Sequence, residues 1–179
     1  MEYGHFVKDD IAGFDAPFFG MQPGEVACTD PAQRWLLEVT YEALENGRLL
    51  QEETSGCEAN LWSQAGITLQ QIKGPRTSVF IGSFFQEYHT LLNRDPEMQA
   101  KYKAPGTALS MLANRLSWFY DLQGPSITLD TACSSSLSAF HLACQSIKAG
   151  KSDIVNSLFL TNCQVSWLII ISLLSEAAT

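Results

Sequence analysis

"LDTACSSSLSAFHLACQSIKAG", residues 129–150, places one cysteine where a strand pattern becomes a helix pattern. Upstream, Ser126-Ile127-Thr128-Leu129 alternates polar and apolar residues after the Gly124-Pro125 turn, which predicts a short strand. Downstream, Leu137, Phe140, Cys144 and Ile147 recur at spacings of three, four and three, one face of a helix. Ser134, Ser135 and Ser136 supply hydroxyls to its first turn, and Lys148 with Gly150 reads as its C-terminus. Cys133 therefore falls at or just before that first turn. Unpaired N–H groups and the positive end of the macrodipole there favour a thiolate and could hold a developing oxyanion. The same position also suits a small buried hydrophobe. Local geometry leaves both readings open.

Working outward, "TSVFIGSF" (77–84) reads as a buried strand ending at Gly82-Ser83, and "GTALSMLANRLSWFYDLQG" (106–124) as a helix. One side of that helix carries Ala108, Met111, Leu112, Arg115, Leu116 and Phe119. In "FDAPFFGMQPGEVACTDPAQRWLLEVTYEALENG" (14–47), Asp30 is an N-cap, Pro31 takes the first helical position and Gln33 has capping-box spacing. Leu36, Leu37, Val39, Tyr41, Ala43 and Leu44 form its apolar face to about Glu45. Phe14, Phe18 and Phe19 are expected in the core. The alternation of helices and strands predicts an α/β layered fold.

The 179-residue chain, 46% hydrophobic, can bury one sizeable core. Five cysteines without CxxC or Cys/His ligand spacing argue for reduced thiols in a cytoplasmic protein, with neither a disulfide framework nor a metal site. MEYGHFVKDD has no apolar core and so does not resemble a signal peptide. Residues 1–64 hold 12 acidic and 3 basic side chains, the remainder 7 and 8. With no basic stripe, a nucleic-acid partner is not expected; the acidic excess reads as solvated surface. The apolar run Trp167–Ile171 is too short to span a bilayer, so no membrane partner is expected.

"DTACSSSLSAFHLACQSIKAG" resembles the active-site segment of β-ketoacyl synthases, most closely the ketosynthase domains of fungal type I polyketide synthases. The 14–47 segment, "KGPRTSVFIGSF" and "GTALSMLANRLSWFYDLQGPS" resemble the family's other blocks, in family order. The resemblance covers residues 3–47 and 65 to about 154. It implies a thiolase-like layered fold, of which this chain carries part of the N-terminal half, and a homodimer in the parent enzyme. It implies that Cys133 accepts an acyl chain from the phosphopantetheine arm of an acyl carrier protein, with no cofactor bound by the chain. Decarboxylative condensation with a malonyl unit on a carrier protein follows, in polyketide or fatty acid biosynthesis.

Two histidines of the family, in HGTGT-like and GHxE-like motifs, drive that condensation, and neither motif occurs here. The histidines present are His5, His89 and His141. His141 lies eight residues beyond Cys133, about 12 Å along a helix, and is expected on the surface. His89 follows a strand, and the sequence does not place it. The chain also lacks the family's first strands and so reads as a middle portion of one ketosynthase domain. Two segments break the pattern. Residues 48–64 have no clean period, and removing 47–64 joins "ALEN" to "AGITL" as the family's "ALENAGI". Residues 155–179 form a divergent tail whose structure the sequence does not assign. Both read as misread intron, or as a genuine loop on a degraded gene. Residues 1–154 are then a partial β-ketoacyl synthase N-terminal domain. The alternative function is a non-catalytic truncated remnant with at most an interaction role. A cysteine hydrolase lacks its C-G-S-C-W signature and a visible dyad.

Overall fold

Thr77–Gly82 (β1) is buried at all six positions, so it must have neighbours on both edges and layers on both faces. The computed structural model describes residues 10, 12–53, 76–84, 86–94, 101–161 and 164–172. Around β1 it sets helices Pro23–Val26 (α1), Pro31–Glu53 (α2), Glu87–Leu92 (α3), Lys103–Thr107 (α4), Ser110–Phe119 (α5) and Ser135–Lys148 (α6). Strands Ser126–Leu129 (β2), Ile154–Thr161 (β3) and Gln164–Ser172 (β4) complete a sheet of order β2-β1-β3-β4. β2 and β3 run parallel to β1, with Val79 opposite Ser126 and Asn156; β4 returns antiparallel to β3. The predicted α/β layering is thus realised, and β2 matches its sequence-based bounds to the residue.

Alternation along β1 separates two cores. Val79 and Ile81 join Leu36 and Leu37 of α2, Leu112 and Leu116 of α5, and Phe19. Phe14 stacks on Phe19, whose ring also meets Phe119 at 5.0 Å. Phe18 joins this aromatic cluster edge-on but stays half exposed, so only part of the predicted phenylalanine burial is realised. On the opposite face Phe80 packs with Ala139, Ala143 and Ile147 of α6 and with Val155.

The buried stripe of α6 differs from the expected one. Leu137 is 69% exposed, and Phe140 and Cys144 are half-buried. Ser135, Ala139, Ala143 and Ser146 face the sheet instead, with Ile147 common to both stripes. The cause is close approach. A Cβ at Gly82 would stand 2.6 Å from the Ser135 carbonyl carbon and 2.7 Å from Ser136 N, so backbone meets backbone and only small side chains fit between. Burying serines there leaves no polar group stranded, because Ser146 joins Ser152 and Ser78 in a hydroxyl cluster. The helix ends as its sequence indicates. Gly150 takes φ +63°, its N–H meets Ile147 O and the Lys151 N–H meets Ser146 O, a Schellman stop.

Asp30 caps α2 through Ala32 N–H at 2.8 Å. Burial pushes the Asp30 carboxyl above its ordinary range, opposed by that hydrogen bond. Gln33 does not close a capping box. Its amide donates to Gly106 O at 2.9 Å and its carbonyl accepts Arg115 Nε at 3.0 Å, while Arg115 also pairs with Glu25 at 2.8 Å. Arg115 and Gln33 are both buried, so tertiary demand has claimed the side chain that a local cap would use.

Helix α2 continues to Glu53, beyond the expected end near Glu45. Gly47 weakens it, but Arg48-Leu49-Leu50-Gln51-Glu52-Glu53 are all good helix formers. The rest of the 48–64 segment lies outside the described residues. Residue 155, where the divergent tail begins, lies within β3, which carries Val155 into the second core. Among the described residues no helix is long and apolar enough to cross a membrane.

Gly82→Ala should destabilise the protein by about 1–3 kcal/mol, because the added methyl meets backbone that cannot turn aside. Urea unfolding should show a lowered midpoint. An unchanged midpoint would show that α6 can lift from β1 without cost.

Candidate active site

The segment before α6 is built by the ends of two parallel strands. Ser83 N–H, just past β1, donates to Leu129 O at the end of β2 at 2.9 Å, which holds the two strand ends level. The chain then turns through Asp130-Thr131-Ala132. Asp130 Oδ1 accepts the Ala132 N–H at 3.1 Å, and Ala132 takes φ +53°, a left-handed conformation rare for a residue with a Cβ. Cys133 follows, exposed, one residue ahead of the N-cap Ser134.

Ser134 does not cap the helix that it precedes. Its hydroxyl donates backwards to Thr131 O at 2.8 Å, and no side chain caps the first turn of α6. Cys133 thus stands beside a helix N-terminus without a side-chain cap, a position where backbone N–H groups hold negative charge well. A strand, a strained turn and a helix N-terminus presenting one exposed sulfur form a geometry suited to nucleophilic attack on a carbonyl. Cys133 is exposed, so it is not the small buried hydrophobe that its position also suited.

Neither of the two described histidines hydrogen-bonds this sulfur. Thr107 donates its hydroxyl proton to Lys103 O at 2.9 Å, so it accepts from His89 Nδ1 at 2.9 Å and fixes that tautomer. His141 is exposed and hydrogen-bonds Gln145 one turn along α6, the surface position expected of it. His5 lies outside the described residues. Of the other cysteines, Cys28 is buried and Cys144 half-buried, while Cys57 and Cys163 lie outside the described residues.

A cavity of about 410 Å³ opens beside the end of β1, lined by Pro31, Ser83, Leu91, Ala108, Leu109 and Leu112 among others. Cys133 is not among its lining residues. The left-handed Ala132 escaped the sequence reading, since alanine carries none of the signal that glycine or asparagine would at a positive φ.

Comparison with known proteins gives this site a context. The family model described as the β-ketoacyl synthase N-terminal domain matches residues 1–60 and 57–155. Its two pieces meet inside the 48–64 stretch that breaks the sequence pattern. A highly reducing polyketide synthase of Didymella fabae is 49% identical over 152 residues, 85% of this chain and 7% of that protein. A reducing polyketide synthase of Alternaria solani is 52% identical over 151 residues, 84% of this chain and 6% of its relative.

Among solved structures, an oxazolomycin ketosynthase domain from Streptomyces albus superposes with TM-score 0.68 and 31% identity, covering 86% of this chain and 24% of that one. The ketosynthase from module 6 of the bacillaene synthase of Bacillus subtilis 168 gives TM-score 0.65 and 29% identity, covering 86% and 22%. The described layers are therefore those of the thiolase-like ketosynthase fold.

The exposures predict an order of thiol reactivity. Under brief iodoacetamide treatment at neutral pH, with sites resolved by peptide mass spectrometry, Cys133 should react at least about tenfold faster than Cys28, with Cys144 between them. Equal rates at Cys133 and Cys28 would contradict the exposed turn.

Proposed function

The chain belongs to the β-ketoacyl synthase family, and from that premise we propose that Cys133 is its acyl-accepting nucleophile, serving a ketosynthase of a polyketide synthase. The observation that carries the reading is the match of the DTACSSS segment to a strand–turn–helix junction with an exposed sulfur. Cys133 Sγ attacks the carbonyl of an acyl group carried as a thioester on a phosphopantetheine arm. The tetrahedral oxyanion draws on N–H groups at the start of α6. Its collapse breaks the old carbon–sulfur bond, the leaving thiolate takes up a proton, and the acyl group stays on Cys133. The partner is an acyl carrier protein, and the parent enzyme acts as a homodimer in the cytoplasm.

In the parent enzyme a malonyl unit then loses carbon dioxide. The electron pair left on carbon attacks the Cys133 thioester, forms the new carbon–carbon bond and releases the cysteine thiolate. That step needs a trigger for decarboxylation and donors for the enolate in the same site as the nucleophile. Neither His89 nor His141 has Cys133 as a hydrogen-bond partner, and the sequence carries no HGTGT-like or GHxE-like motif. The 179-residue chain by itself is therefore an acyl acceptor and not a condensing enzyme.

Incubation with an acyl thioester should load one acyl group on Cys133, abolished in Cys133→Ala. Added malonyl-carrier protein should yield no β-ketoacyl product. Failure to load would sink the acyl-acceptor reading; product above the Cys133→Ala control would sink the limit placed on this chain.

A further inference from the structure

We propose that Ser135 is the positioning residue of the Cys133 turn. Its buried hydroxyl straps the backbone of Thr131 and Ala132 and so fixes the direction in which Cys133 leaves the chain. The inference rests on the reading of Cys133 as acyl acceptor, but its own basis is the hydrogen bonding around Ala132.

Ser135 is 3% exposed, whereas Asp130, Thr131, Ala132, Cys133 and Ser134 are all exposed. Its Oγ accepts the Thr131 N–H at 2.8 Å and donates to Ala132 O at 2.6 Å. The Ser135 N–H reaches the same Ala132 carbonyl at 3.0 Å. One residue thus binds the peptide group ahead of Thr131 and the one that follows Ala132, and so brackets the position held at φ +53°. A left-handed alanine persists only where its surroundings over-determine it.

The neighbouring hydroxyls do not serve in the same way. The Ser134 side chain is exposed and spends its proton on Thr131 O. The Asp130 carboxylate also binds the Ala132 N–H, but from the solvent side, where water competes for it. Ser135 works from beneath, where Gly82 presses on its backbone and fixes the helix start against the sheet. The strap is therefore anchored to the central strand. Its loss frees Ala132 to relax out of the left-handed region, which swings the Cys133 side chain off the mouth of α6.

Such a strap predicts a specific rescue. In the 179-residue chain, Ser135→Ala should slow both Cys133 alkylation and its loading by an acyl thioester about tenfold, with Cys28 still protected. Glycine accepts a positive φ without a strap, so Ala132→Gly combined with Ser135→Ala should recover most of that loss. If Ser135→Ala unfolds the protein, seen as fast labelling of Cys28, the double variant should restore both the fold and the Cys133 rate. Parental rates in Ser135→Ala would overturn the proposal, as would a double variant that recovers neither rate nor fold. A parental chain that alkylates in this pattern but never loads an acyl group would refute the acyl-acceptor reading and leave the strap standing.

Discussion

The close contact between Gly82 and the first turn of α6 sets the position of everything around the candidate nucleophile. A side chain at 82 would occupy the space taken by the backbone of Ser135 and Ser136. Its absence lets α6 lie low on the sheet, so the helix must present Ser135, Ala139, Ala143 and Ser146 inward and carry Leu137 outward. Because β1 is central and fully buried, its end is a rigid reference point. The helix that starts from that point inherits the rigidity, and so does the cysteine one residue ahead of its N-cap. Placing a reactive atom on the frame of a sheet rather than on a free loop keeps the geometry of attack reproducible.

The opposite face is organised by a buried cation. Arg115 on α5 pairs with Glu25 and with Gln33, and Gln33 bonds the backbone at Gly106, so α1, α2, α4 and α5 share one polar hub within an apolar core. A hub of this kind adds little net stability over apolar packing, but loss of any member strands a buried charge or amide. It therefore selects one arrangement of these helices. Tyr120 strengthens the same face by donating its hydroxyl to Leu37 O, and burial holds that phenol well above its ordinary range.

Family membership and chemistry stand at different levels here. The chain holds the candidate nucleophile segment and the layers that position it, and it spans 24% of the oxazolomycin ketosynthase domain and 7% of the Didymella fabae synthase. The acyl loading proposed for Cys133 needs a sulfur, a carbonyl and oxyanion donors. Condensation asks for further donors at the same carbonyl. The described histidines are spent on Thr107 and on Gln145 instead.

Much of this was legible in the residues. The bounds of β2, the burial of β1, the Asp30-Pro31 helix start and the Gly150 stop follow from alternation, capping and turn chemistry, which act within a few residues. The DTACSSS segment likewise pointed to Cys133 and to its family. Local pattern misjudged what distant parts of the chain decide. It chose the bulky stripe of α6 because larger side chains usually face the core, whereas Gly82, more than fifty positions away in sequence, excludes them. It assigned Gln33 to a cap because nothing nearby announces Arg115. It could not tell three consecutive serines apart, although one alone is buried under the strained turn. Short-range rules thus determined the elements and singled out Cys133 as the candidate nucleophile. The tertiary structure decided which faces meet and which hydroxyl holds the sulfur in place, because close packing and buried hydrogen bonds depend on neighbours that only the folded chain brings together.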